Sequence, residues 1–307
     1  MTNGVFMGNS INKSKFQLIL SMIIFGTIGV FRKYIDIPSS VLAMARGFIG
    51  MFFLLAVIAL KKEKLSIRAL KSNLLFLILS GTFIGFNWIL LFESYNYTSV
   101  AVATLCYYMA PVIVMILSPI VLKETLSLAK ILSVIAAMLG MFFVSGVISN
   151  GVTSIQEMKG VFCGLGAALL YALVILLNKK IKNISPFDKT IYQLGIAGLV
   201  LLLYTYLTED LSLINPDYKS LFLLFVVGII HTGITYYLYF GSLSGLDAQT
   251  AALYSYIDPI FAIILSGIIL KESMGVYEII GTLLILGSTI FCELSPNLIK
   301  NRKEKNK

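Results

Sequence analysis

Residues 90–140 align with residues 238–288 without a gap, at a constant offset of 148, and 15 of the 51 positions are identical. The matches include Phe92/Phe240, Tyr108/Tyr256, Pro111/Pro259 and the run Ile116, Leu117, Ser118 over Ile264, Leu265, Ser266. Leu122, Lys123, Glu124 and Thr125 fall on Leu270, Lys271, Glu272 and Ser273. A repeat of this length makes the chain a duplication, and the second half must adopt much the same internal structure as the first.

The solvent for that structure follows from composition. Of 307 residues, 58% are hydrophobic and 13% charged, with a mean hydropathy of +0.91. A soluble domain carries roughly 25% charged residues, so the deficit places the chain in a bilayer. The net charge of +9 does not mark a nucleic-acid partner, because Lys and Arg gather in short connections and at the termini without a basic face or reader motif. Cys106, Cys163 and Cys292 lie inside apolar runs without CxxC spacing. They read as small packing residues, and neither a disulfide framework nor a metal site is expected. No cofactor is expected either.

Apolar stretches long enough to cross about 30 Å of hydrocarbon recur ten times. They fall at 16–34, 41–60, 73–92, 99–120, 127–146, 159–178, 190–207, 219–241, 248–270 and 276–293. The runs are continuous rather than alternating, so helices are expected and a barrel is not. The longest polar connection, 147–158, separates five-helix repeats at 16–146 and 159–293, and tails are expected at 1–15 and 294–307. The first run has no small-residue cleavage site after it and is expected to remain as span one. With both termini placed in the cytoplasm, that side holds 18 Lys and Arg residues and the outer side 5, which sets the orientation by the positive-inside rule. Because each repeat has an odd number of spans, the second must thread the membrane upside down. The expected architecture is therefore all-α, with ten transmembrane helices as two inverted five-helix repeats. A pseudo-two-fold axis in the membrane plane follows. The pairing extends to Gly47 and Gly50 over Gly195 and Gly198, and to Gly85 and Trp88 over Gly233 and Tyr236. Glycines at helical spacing let backbones approach closely.

At this point the sequence resembles the EamA-type branch of the drug/metabolite transporter superfamily. The likeness rests on Tyr108, Met109, Ala110 and Pro111 running on to Leu122, Lys123 and Glu124, with Tyr256, Ile257, Asp258 and Pro259 running on to Leu270, Lys271 and Glu272. Arg46, early in span two, also looks like an arginine frequent in that family. The resemblance implies ten spans, two tandem domains, cytoplasmic termini and transport of small metabolites or drugs, often outward. Many relatives carry Glu where this chain has Asp258.

Asp258 is the most informative candidate. An acid in mid-span costs roughly 2.5–3.5 kcal/mol on insertion scales, so a cation, cavity water or protonation must offset it. It reads as a proton or substrate-ammonium site, against a structural carboxyl satisfying backbone exposed beside Pro259. Pro111 and Pro259 each remove a backbone donor and disturb the carbonyl four residues earlier. They mark either broken helices around a central site or ordinary packing kinks. Arg46 has Leu194 as its repeat counterpart. It clamps a carboxylate, pairs with an acid such as Asp258, or snorkels outward, the last being the stronger reading. His231, the single histidine, either relays protons or makes an interhelical hydrogen bond, and the second use is the commoner. Trp88, Asn87, Tyr108, Tyr236 and Tyr256 complete the candidate lining, since aromatic walls with a few polar groups describe a small-molecule site. Glu124 and Glu272 read as exposed turn residues.

The expected function is a secondary active transporter in the cell membrane. It is expected to export a small polar metabolite such as an amino acid by alternating access, with protons as the coupling ion if Asp258 takes part. A carrier of nucleobases, sugars or lipophilic drugs with a purely structural Asp258 stays open, as does a non-transporting scaffold. Enzymatic motifs such as HExxH and GxSxG are missing, so catalysis is not expected. The expected partners are a small-molecule substrate, the lipid bilayer and protons, without nucleic acid. The oligomeric state is not legible.

Overall fold

The computed structural model describes residues 2–32, 34–98, 103, 106–144, 155–210, 215–269 and 276–305. The first repeat contributes α1 (Thr2–Arg32), α2 (Ser39–Leu60), α3 (Ile67–Tyr97), α4 (Ala110–Leu122) and α5 (Leu128–Val144). The second contributes α6 (Ile155–Lys180), α7 (Pro186–Thr208), α8 (Tyr218–Val226), a π-helical segment (Val227–Ile234) and α9 (Thr235–Ser242). It ends with α10 (Ala248–Tyr254), α11 (Ile257–Ile269) and α12 (Val276–Lys305).

Among the described residues six helices are long and apolar enough to cross a membrane, and α4, α5 and part of α12 add shorter apolar helices. Phe16, Leu75, Phe162, Leu203 and Phe222 each expose 63–67% of their surface. Such an apolar exterior needs lipid against it. This is a multi-pass membrane protein with a helical fold.

Polar side chains set where the helices begin. Ser66 accepts from Ala69 N at 3.2 Å, Ser185 from Asp188 N at 3.0 Å and Asp217 from Ser220 N at 2.8 Å. Each satisfies one amide that the first turn leaves without a helical partner. Lys62, Lys123 and Asn183 take positive φ just past helix ends, where the chain must turn away.

At both matched prolines the structure has broken helices, one of the two readings left open by the sequence. Span four (99–120) and span nine (248–270) are not continuous. After a turn at Tyr108 and Met109, α4 starts at Ala110, and a turn at Ser255 and Tyr256 separates α10 from α11. Helix α1 begins at Thr2 and α12 runs on to Lys305, so helical structure extends into both tails. Glu124 is half-buried, not an exposed turn residue, and accepts from Ala248 N at 2.9 Å and Gln249 N at 3.4 Å. The matching hairpin Leu270–Ser273, the start of span four at 99–102 and most of the connection 147–158 lie outside the described residues.

Packing between the halves is antiparallel where it can be traced. From Gly47 through Phe48 to Met51, the neighbours on α7 run backwards from Gly198 to Gly195. Gly140 of α5 faces Gly281 and Ile285 of α12, while Phe143, further along, stacks on Tyr277 at 6.1 Å. The other contacts come in offset pairs. Helix α3 packs on α6 as α9 packs on α1, and α3 packs on α7 as the π segment packs on α2.

Candidate functional site

Two pairs of residues at equal positions in the repeat touch each other at the centre of the bundle. Trp88 Nε1 donates to Tyr236 Oη at 3.2 Å, with the rings edge-on at 5.8 Å. Tyr256 Oη donates to the Tyr108 carbonyl at 3.0 Å, with ring centroids 6.1 Å apart. The second pair has a structural consequence. Tyr108 lies in the turn before Pro111, and a carbonyl outside a helix at this depth needs a donor from the protein or cavity water. Tyr256, fully buried, supplies it from the other half.

The prolines sit where their chemistry is least costly. Pro111 occupies the first turn of α4 and Pro259 the first turn of α11. An amide there has no helical acceptor to lose, and the fixed φ of proline suits the start. Asp258 is in that same first turn of α11, where the helix dipole favours negative charge. Its carboxyl accepts a hydrogen bond from the Tyr108 side chain. Directly behind it stands Gly26 of α1, and a β-carbon there would lie 2.7 Å from the Asp258 carbonyl oxygen.

Arg46 turns inward instead of snorkelling to the surface. Its guanidinium carbon lies 4.1 Å from the centroid of Trp88, a cation–π geometry that holds the group over the indole. Arg46 Nε is sealed from solvent without a hydrogen-bond partner, while the residue as a whole keeps accessible surface. Arg46 and Asp258 do not pair directly. Tyr107 and Tyr236 lie within electrostatic range of both. Arg46, Tyr107, Tyr171, Tyr236 and Asp258 are all half-buried although they stand in the middle of the bundle.

An aromatic wall runs on from this centre. Tyr107 stacks on Tyr171 at 5.5 Å, and Tyr171 stacks on Tyr239 at 6.3 Å, with their hydroxyls 2.9 Å apart. Phe25 meets Tyr236 edge-on at 5.1 Å. Asn87 donates to the Ala167 carbonyl at 2.6 Å and hydrogen-bonds the Tyr107 side chain, which ties α3 to α6 and orients that ring. Sequence reasoning did not single out Tyr171 and Phe25. Their repeat counterparts are Ile23 and Leu173, so the duplication carries no signal for them.

His231 stands apart from the wall, inside the π segment. Its Nε2 is 2.7 Å from Thr27 Oγ1, whose hydroxyl donates to the Ile24 carbonyl at 2.7 Å. With that proton committed, Nε2–H must be the donor to Thr27, which leaves Nδ1 as a buried acceptor without a partner. The π segment packs on Gly50, where a β-carbon would come within 3.0 Å of Gly233 N and 3.1 Å of the Gly228 oxygen. Single-turn π segments in helices often mark functional sites. Among the described residues no three of His, Cys, Asp and Glu gather as metal ligands.

These features meet known proteins at several points. Residues 13–146 and 158–293 each match the EamA-like transporter family. The chain is 32% identical over 296 residues to the uncharacterized transporter YxxF of Bacillus subtilis (strain 168), covering 94% of this chain and 91% of that protein. Solute carrier family 35 member G1 of Mus musculus is 25% identical over 226 residues, covering 70% of this chain and 61% of that one. A solved crystal structure superposes with a TM-score of 0.81 at 16% identity, over 92% of this chain and 98% of its own. That likeness extends the agreement to the fold. With the family matched once in each half and across nearly its whole length, the chain belongs to the EamA-like transporter family.

Proposed function

We propose that this protein is a secondary active transporter that exports a small zwitterion, of the amino-acid class, through the cell membrane by alternating access. Both termini lie in the cytoplasm, as the lysine and arginine bias requires. The two halves are inverted repeats. The antiparallel course of α2 against α7 and of α5 against α12 supports this, as do Trp88/Tyr236 and Tyr108/Tyr256 meeting their own counterparts. Residues related by a two-fold operation can touch only at its axis.

The observation that carries the substrate class is that Arg46 and Asp258 both lie within electrostatic range of Tyr107 and Tyr236 without pairing with each other. A carboxylate bound to the free edge of the guanidinium leaves its ammonium facing the acid. The aromatic wall takes the side chain. Asp258 carries the coupling proton. It exchanges that proton for the substrate ammonium, so one carboxyl serves both in turn.

Flux in proteoliposomes tests this reading. An amino acid should move faster when an inward proton gradient is imposed, and Asp258→Asn should abolish that acceleration. Unchanged acceleration in the variant would remove Asp258 from the coupling. The stacked rings of Tyr107, Tyr171 and Tyr239 favour a second reading, a flat nucleobase-like ring slotted against them. Competition of amino acids against nucleobases for the same flux separates the two.

A further inference from the structure

We propose that Glu124 and Lys130 form a latch that holds the cytoplasmic mouth closed, and that Lys179 and Lys189 stiffen the catch it grips. This rests on the alternating-access reading above. The catch is the segment from Phe240 to Gln249, which leads from α9 into α10 and so into the interrupted span that bears Asp258.

Four charged side chains from outside this segment hold it. Lys189, only 4% exposed, donates from Nζ to the Phe240 carbonyl at 2.7 Å. Lys179 donates to the Leu243 carbonyl at 3.2 Å and to that of Leu246. Glu124 holds the Ala248 and Gln249 amides, and Lys130 Nζ pairs with Asp247 at 2.9 Å. Asp247 also accepts from the Thr250 amide. Burial pushes the Asp247 carboxyl up, but the Thr250 bonds and Lys130 outweigh it and hold it below its ordinary range. The charges match the helix ends they meet. The last carbonyls of α9 lack helical donors and carry partial negative charge, so ammonium groups suit them. The first amides of α10 lack acceptors, so a carboxylate suits them.

Membership of the repeats gives the arrangement its mechanical sense. Lys179 and Lys189 belong to the same repeat as the catch, so their bonds lie within one repeat. Glu124 and Lys130 belong to the first half, so their bonds cross the moving boundary and must break for the mouth to open. The outer end carries its own contacts between the halves, Ser40 donating to Glu209 and the Asp36 amide to Ser220, but the charged set does not recur there in the sequence. At the offset of 148 the counterparts of Lys179, Lys189, Lys130 and Asp247 are Phe31, Val41, Glu278 and Ser99, and only the acid at Glu124 recurs, as Glu272.

The test uses the full chain with Cys106, Cys163 and Cys292 replaced, and one reporter at a time. Ser242, within the catch itself, is fully buried, and Ser40 lies at the outer end of α2. An impermeant maleimide labels Ser242→Cys in inside-out vesicles and Ser40→Cys in intact cells. Glu124→Gln, and separately Lys130→Met, should speed Ser242→Cys labelling about tenfold, the population shift for losing one charge-assisted hydrogen bond. Both should slow Ser40→Cys in step. Monodisperse gel filtration certifies that each variant is folded. An unchanged Ser242→Cys rate in both folded variants overturns the latch and leaves alternating access standing. A faster Ser242→Cys without a slower Ser40→Cys contradicts alternating access, and the latch falls with it.

Discussion

Asp258 combines three influences on one carboxyl: the N-terminus of α11, the Tyr108 hydrogen bond and a position that keeps some accessible surface. Each keeps a charged acid tolerable at a depth where it would otherwise be costly. The backbone that carries it is fixed from behind by Gly26, and this gives a direct check. Gly26→Ala forces a methyl group to within 2.7 Å of the Asp258 oxygen and 2.8 Å of Phe261 Cβ. Overpacking of this kind costs about 1–3 kcal/mol. A lowered melting temperature in detergent, together with reduced flux, is the expected outcome, and an unchanged melt would show that α1 is free to move away. Asp258 and Arg46 were legible in the sequence because a charge inside an apolar run stands out. The inward turn of Arg46 was not, since it depends on Trp88 of α3, 42 positions along the chain. Tyr171 and Phe25 were invisible for a different reason. Aromatic residues are common in membrane helices, and only the packing shows which of them face the centre.

At the scale of elements, the interrupted spans carry most of the function proposed here. The matched prolines showed where two spans would be disturbed, and the structure places both in the first turn of a new helix, not mid-helix as kinks. The difference has an energetic signature. A proline at a helix start stabilises chiefly by restricting the unfolded chain, so Pro259→Ala should cost no more than about 1 kcal/mol. Thermal unfolding should register that small loss with flux largely retained. A loss of several kcal/mol would mean that the proline holds the break open. The π segment around His231 was not legible. Its extra residue per turn is set where Gly50 of α2 packs on Gly228 and Gly233, and no local pattern announces it. The caps at Ser66, Ser185 and Asp217 follow ordinary sequence rules. The Glu124 contact does not, because it joins residues 124 positions apart.

For the whole molecule, duplication and hydropathy together specify nearly all of the architecture. The two repeats, each leaving apolar surface uncovered, are driven to pack on each other. The offset contacts of α3 with α6 and of α9 with α1 are the result. Arg46, Asp258 and the tyrosines then lie where the halves meet. In the alternating-access cycle proposed above, a site at such a boundary opens to one face or the other in turn. Everything in this account depends on the second unit entering the bilayer from the opposite side. Single cysteines in a cysteine-free chain, Lys123→Cys in the first unit and Lys271→Cys at the equivalent position of the second, measure this directly with an impermeant maleimide applied to either face. Labelling of Lys123→Cys only from the cytoplasm and of Lys271→Cys only from outside is the predicted result. Labelling of both from the same face would contradict it.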